Sequence, residues 1–369
     1  MALPPAPEPG AAFDLRAFDL AWLRALADTP QDPEYHGEGD VLRHTQLVAE
    51  RLVGDERWRE LELEDRSELW LATLLHDVGK PAATRYENGR WTAPGHARRG
   101  AIVARRILWE AGLSPFARER ICGLVRHHMA PYRLIDSEHA TRRTIEISLE
   151  AGARRQHLLT RADALGRIAP DIDGLTVNVD LFAELASDLG CLDRAYPFAS
   201  DHARFTYFSR RDRDPAYAAH DDTRSRVVVL SGLPGAGKDH WVAEHHDGRP
   251  TVSLDDLRRR RGAKRSDKVA QGHVIQEARE RARTYLRAGE PFIWNATNLT
   301  AQIRAQTISL LADYNAHVTI VAVEAPPDVL SARNRDRRHP VPWAAIDRML
   351  DRWEAPSVTE CHRLEVFSA

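Results

Sequence analysis

The sequence predicts two domains of different class, an all-α domain followed by an α/β domain built on a parallel sheet. Three observations carry this. A length of 369 residues exceeds one ordinary domain. From Phe13 to about Leu189 apolar residues recur at helical spacing, segment after segment, without β-branched runs. From Arg226 onward short β-rich runs alternate with helices, as parallel strands joined by crossover helices require.

Taken in order, residues 1–12, opening MALPPAPEPG, are expected to be a disordered Pro/Ala-rich tail, with no charged leader followed by an apolar core. Residues 13–195 form the helical domain, through FDLRAFDLAWLRALA, DVLRHTQLVAERL, RSELWLATLLHD, ARRGAIVARRILWEAG and FARERICGLVRHH, with further helices around Leu158 and Leu181. In WLATLLHDVGK, helical spacing sends Leu71, Leu74 and Leu75 to one apolar face, so His76 and Asp77 should emerge at its inner end. Residues 196–225 are polar, aromatic-spotted and weakly periodic, and read as a linker and docking segment. The α/β domain, 226–369, has strands in RVVVLSG, TVSLDD, PFIWNATN and HVTIVAVE.

A net charge of -2 argues against a protein that coats duplexes over its whole surface, while leaving room for local basic patches. Cys122, Cys191 and Cys361 are scattered and odd in number, which supports neither a disulfide framework nor a zinc-thiolate site. The reducing cytoplasm is the expected location. No stretch approaches the roughly 20 apolar residues of a membrane span, so no membrane partner is expected.

The helical half carries His44, His76, Asp77, His96, adjacent His127 and His128, and Asp163, spread over five segments. Imidazoles and carboxylates suit divalent transition metals such as manganese, and a carboxylate like Asp77 can bridge two ions. Such ions lower the pKa of water toward 7 and neutralise phosphoryl oxygens, which gives phosphoester hydrolysis. Only four lysines occur, and Lys80 is placed to hold a substrate phosphate as a point charge.

The order His44, then His76-Asp77, then Asp163 resembles the HD phosphohydrolase superfamily. HDVGKP followed by GHARRGA and VRHHM is similar to the branch attached to tRNA nucleotidyltransferases and some polynucleotide kinases. That resemblance implies a metal set of His44, His76, Asp77, His96, His128 and Asp163, with His127 as the alternative to His128; the chemistry of the residues themselves makes Asp77 and Lys80 the expected catalytic groups.

In the second half, RVVVLSGLPGAGKDHW is a strand, a Gly-rich loop and a helix start whose spacing fits a P-loop. Gly232, Gly235, Ala236, Gly237, Lys238, Asp239 and His240 are therefore expected to hold a nucleoside triphosphate, ATP or another, with Mg2+. Asp239 departs from the Ser or Thr of that motif. Asp255 and Asp256 end the next strand at the carboxyl edge of the sheet, where one should be a base. Thr297 and Asn298 end the third strand, and Arg333, Arg335, Arg337 and Arg338 fall on an expected lid.

These motifs resemble the 5′-hydroxyl polynucleotide kinase family. By that resemblance Lys238, Asp255, Arg258, Arg333 and Arg337 are catalytic, with Asp255 the general base, and Arg258, Thr297 and Asn298 bind the acceptor; Ala296 stands where the family has an acidic residue. From Arg249 to Arg287 twelve Lys or Arg face five Asp or Glu, a local balance of +7 able to follow a strand's phosphates.

The whole arrangement resembles bacterial bifunctional end-healing enzymes that fuse an HD phosphoesterase to a polynucleotide kinase. This implies RNA or DNA ends as substrates, 5′ phosphorylation, removal of 3′-phosphate, 2′-phosphate or 2′,3′-cyclic phosphate, and a ligase as a further partner. The alternatives are a nucleoside kinase fused to a nucleotidase, and a nucleotide-sensing regulator.

Overall fold

The computed structural model describes residues 2–8, 11–210, 212–263, 267–337 and 340–368. The chain divides into two compact units, Met1–Pro197 and Phe198–Ala369. None of the helices among the described residues is long and apolar enough to cross a membrane.

The first unit is helical. Its main helices span Ala21–Ala27, Val41–Gly54, Leu63–Leu75, His96–Glu110, Pro115–His127, Ala140–Glu150, Ala153–Leu165 and Ile172–Asp188. Side-chain caps set several starts: Asp40 accepts from Arg43 N, and Ser114 accepts from Ala117 N with Pro115 at the first helical position. One core gathers Leu23, Leu52, Trp58, Leu69, Leu74, Leu75, Leu108, Leu124 and Leu159, all essentially inaccessible. Burying each large side chain contributes roughly 1.5–3 kcal/mol. Leu69 rather than Leu71 completes the inner face of Leu63–Leu75, since Leu71 is only partly buried.

Gly79 fixes how two ligand-bearing segments meet. A Cβ there would lie 2.2 Å from the His96 carbonyl oxygen and 2.5 Å from Gly100 N, so only glycine lets helix His96–Glu110 close against the His76–Lys80 turn.

Several local features differ from the sequence expectations. The N-terminal segment is anchored: Leu3 packs on the core and the Trp70 indole donates to the Pro4 carbonyl at 3.0 Å. An antiparallel hairpin, β1 (Arg85–Glu87) and β2 (Arg90–Thr92), was not expected, although Asn88-Gly89 is a hairpin signal and both residues take positive φ, 52° and 80°. Helix Ala140–Glu150 also went unread, because its arginine- and threonine-rich start hides the apolar face of Ile145 and Ile147.

The second unit is a five-stranded parallel sheet flanked by helices. Its strands are β3 (Ser225–Ser231), β4 (Thr251–Ser253), β5 (Phe292–Asn295), β6 (Ala316–Glu324) and β7 (Arg363–Ser368), in the order β4-β5-β3-β6-β7. Central β3 pairs with β5 and β6, Val229 lying opposite Trp294 and Ile320. The unforeseen β7 is a half-exposed edge strand with little continuous apolar signal. The segment read as a linker carries helix Asp201–Ser209, whose Phe205 belongs to the core of this unit and stacks on His362 at 4.1 Å between ring centres. Fully buried Arg304 ties the C-terminal segment down by donating to Glu360 and to the carbonyls of Asn298, Glu354 and Ala355.

Candidate metal centre and phosphate cradle

In the first unit His44, His76, Asp77, His96, His128 and Asp163 converge although up to 119 residues separate them in sequence. Asp77 lies between two pairs of imidazoles. Its Oδ2 is 3.3 Å from His76 Nε2 and 3.8 Å from His44 Nε2, while its Oδ1 is 3.3 Å from His96 Nε2 and 3.6 Å from His128 Nε2. His44 Nε2 also meets Asp163 Oδ1 at 3.0 Å.

Three of the histidines are oriented by one device. Nδ1 of His76 donates to the Thr73 carbonyl at 2.7 Å, that of His96 to Ala93 at 2.8 Å, and that of His128 to Val125 at 2.7 Å. A carbonyl only accepts, so Nδ1 carries the hydrogen and each Nε2 keeps its lone pair for the cluster.

Buried His76 Nε2 and Asp77 Oδ1 have no hydrogen-bond partner. His96 Nε2 faces His128 Nε2 at 3.2 Å, two lone pairs that repel unless a cation or a proton lies between them. An electron-pair acceptor satisfies all of these atoms, so the donor set fits divalent cations, one with His44, His76 and Asp77, the other with Asp77, His96 and His128. Bound ions supply a water of lowered pKa and neutralise phosphoryl charge.

The electrostatics agree. Burial pushes the Asp77 carboxyl up, but Lys80 and His76 outweigh it and hold it well below its ordinary value. Asp163 behaves likewise, with Arg167 and His44 overcoming burial. Burial, reinforced by His96, lowers His128 to about 3, so it is a neutral donor near pH 7. Burial also opposes charge on His76, yet Asp77 raises it, placing a proton's charge where a cation fits.

Some residues of this centre carried no readable sequence signal. Glu38 Oε1 lies 2.8 Å from His44 Nδ1 and 2.9 Å from His36 Nδ1, and its other oxygen accepts from Ile168 N. Gln31, likewise unsignalled, accepts through Oε1 at 2.6 Å from Nζ of the expected Lys80, which also lies 2.7 Å from Asp77 Oδ2. Arg167 binds Asp163 at 2.9 Å with its guanidinium over the Tyr132 ring; its i, i+4 spacing from Asp163 was the one available hint. His127 points elsewhere, its Nε2 2.8 Å from Glu150, so the cluster contains His128 and not its neighbour.

The cradle of the second unit is made by backbone. Gly235 and Gly237 take φ of 89° and 110°, conformations that free the loop to wrap phosphates, and helix Lys238–His245 starts directly after them. Ala236 is buried within the loop. A Cβ on Gly232 would meet the Val323 carbonyl oxygen at 2.2 Å, so the loop presses on β6. Lys238 Nζ folds onto the Gly232 and Leu233 carbonyls, each at 2.9 Å. Asp239 accepts from Asn295 Nδ2 at 2.9 Å, a partner the sequence did not reveal.

Asp255 pairs with Arg258, whose Nε donates to Gln271 at 2.6 Å, and Asp256 pairs with Arg259. Arg333, on helix Pro327–Asp336, reaches the Ala236 carbonyl at 3.5 Å, and Arg337 is the residue that ends that helix. Arg338 and Lys264 lie outside the described residues.

Two expectations need correction. The Asn298 side chain turns inward to the Leu230 carbonyl at 2.7 Å and is 2% exposed, which ties the loop to β3 rather than offering an acceptor contact; its neighbour Thr297 accepts from Gly232 N through its backbone. His240 lies on the exposed helix face beside Glu244, at 3.2 Å, so its imidazole is not part of the cradle. The basic stretch is also partly neutralised, since Arg261 and Arg281 bind Glu277 and Arg283 binds Glu280.

Fold and sites together define a helical HD domain followed by an α/β domain of P-loop kinase fold. The HD domain family model matches residues 41–168, and the AAA domain family model matches residues 227–356. A CC-adding tRNA nucleotidyltransferase of Thermus thermophilus is 42% identical over 104 residues, 28% of this chain and 21% of that protein. A bifunctional uridylyltransferase/uridylyl-removing enzyme of Bradyrhizobium diazoefficiens is 34% identical over 100 residues, 27% of this chain and 10% of that protein. The chain thus spans only a minor part of the length of these relatives. A gluconokinase structure from Sinorhizobium meliloti 1021 aligns over 40% of this chain and 83% of that one at 18% identity, with a TM-score of 0.29.

Proposed function

We propose that this protein heals nucleic-acid ends, transferring phosphate from ATP to 5′-hydroxyl termini and removing 3′-phosphate, 2′-phosphate or 2′,3′-cyclic phosphate from the opposite kind of end. The observation that carries the reading is the placement of Asp77, with one oxygen toward each imidazole pair, in the same chain as a P-loop cradle. One site suits phosphoester hydrolysis and the other phosphoryl transfer. A relative named for its action on tRNA supports a nucleic acid as the shared substrate.

In this reading His44, His76, Asp77, His96, His128 and Asp163 hold two divalent transition ions, and Lys80 receives a phosphate oxygen. Asp255 takes the proton of the acceptor hydroxyl as its oxygen bonds to the γ-phosphorus and the bond to the leaving ADP breaks. Lys238, Arg333 and Arg337 offset charge on the transferring group, and Arg258 orients the acceptor. Asp239, steadied by Asn295, takes the place of the usual hydroxyl toward Mg2+. The products suit a ligase as the next enzyme.

Purified protein incubated with manganese or magnesium and labelled ATP should label oligonucleotides with 5′-hydroxyl ends and release phosphate from 3′-phosphate or cyclic-phosphate ends. Phosphorylation of free nucleosides at a higher kcat/KM than oligonucleotides would replace this reading with a small-molecule kinase. ATP binding with no transfer to either acceptor would point to a nucleotide sensor.

A further inference from the structure

The hairpin β1–β2 joins the segment bearing Asp77 and Lys80 to the helix bearing His96, and it adds almost nothing to the core. Each of its six strand positions is exposed or half-buried. A two-stranded hairpin alone is marginal in water, so bulky aromatic side chains on it are not explained by the core. Tyr86 and Trp91 are direct cross-strand partners and share one face; their ring centres are 5.1 Å apart at 62°, and Tyr86 is 61% exposed. On the other side Arg90 lies over the exposed Tyr35 ring at 5.7 Å, within 3.9 Å of Asp32. From Arg85 to Arg99 four arginines face the single acid Glu87, in a chain of net charge -2.

Position along the chain bounds where this platform can be. Thr92 precedes His96 by four residues, a fully extended reach of at most about 14 Å. A polymer whose terminal phosphate sits at Asp77 therefore has its next residues within reach of the hairpin. Aromatic faces beside arginines are the chemistry that holds unpaired bases and their backbone, since every base offers a π-face.

We infer that Tyr86 and Trp91 form a nucleobase-stacking subsite for the single-stranded nucleotides next to the phosphate removed at the Asp77 centre. This rests on the end-healing reading, and it adds a preference for strands over mononucleotides.

The test compares three substrates with the full-length manganese-loaded protein: p-nitrophenyl phosphate, a nucleoside 3′-monophosphate, and a ten-nucleotide single strand ending in 3′-phosphate. Tyr86→Ala combined with Trp91→Ala should raise KM for the strand about tenfold or more with little change in kcat, and leave both small substrates unaffected. Trp91→Phe should retain the wild-type KM. Tyr86→Ala alone, at an exposed position, should raise the strand KM as well, so the question stays decidable if the double variant does not fold. An unchanged strand KM in the folded variants overturns the subsite alone, as does an equal loss on all three substrates. Wild-type protein that cleaves p-nitrophenyl phosphate but neither nucleotide substrate overturns the end-healing reading and the subsite with it.

Discussion

The two phosphate-handling regions are built in opposite ways. At the Asp77 centre the working atoms belong to side chains brought from distant segments, buried except for half-buried His96, and most carry orienting partners behind them. At the cradle the working atoms are largely backbone groups of one continuous loop, and the charged side chains around it, Asp255 and Arg258 among them, are at least partly exposed. The first is held in place by packing from several helices, whereas in the second Lys238 rests on the carbonyls of its own loop.

The sharpest way to break the comparison is to disable each region separately. Asp77→Asn should lower phosphate release by about 10³-fold or more and reduce bound metal, with 5′ phosphorylation unchanged. Lys238→Ala should lower phosphorylation by about 10²–10³-fold and spare phosphate release. Loss of both activities in one folded variant would mean that the regions do not work independently.

Gly79→Ala asks whether the first region is rigid. The added methyl would collide with the His96 carbonyl, so phosphate release should fall by about 10²-fold although no ligand is changed, while kinase activity persists. Full activity would show that helix His96–Glu110 can shift freely.

A smaller effect concerns the second unit. Burial, with His317 and His202 beside it, lowers the His362 pKa from 6.5 to about 3, while its Nδ1 accepts from Val318 N. A lowered folded pKa means that the unfolded chain binds more protons between those values, so the stabilisation is complete above about 6.5 and is lost as pH falls toward 3. Denaturant titrations should show the second unit losing about 1 kcal/mol or more between pH 7 and pH 5, and His362→Gln should flatten that slope. An unchanged slope in the variant would remove His362 as the cause.

The smallest expected effect is at Asp239. Asp239→Ser restores the hydroxyl usual at this P-loop position and should shift the magnesium concentration for half-maximal kinase activity by about two- to fivefold. Overlapping magnesium curves would end the assignment of Asp239 to the ion.

Much of this was legible before any fold was known, where the signal is local. Helical periodicity placed Val41–Gly54 and Leu63–Leu75, and β-rich runs placed four of the five parallel strands. The Gly-rich loop was readable because its chemistry is confined to consecutive residues. The ligand types of the first region were also visible in order, because an imidazole or carboxylate announces itself wherever it falls.

What the sequence by itself determined, then, was the class of each half and the kinds of side chain available for chemistry. Tertiary structure alone decided that His128 faces Asp77 while His127 faces Glu150, that Glu38 stands behind His44, that Asn298 turns inward, and that Arg363–Ser368 completes the sheet. Each depends on a direction in space between residues far apart in the chain, and side-chain direction at a helix end or a sheet edge is set by the neighbours that packing brings, not by the residue's own preferences.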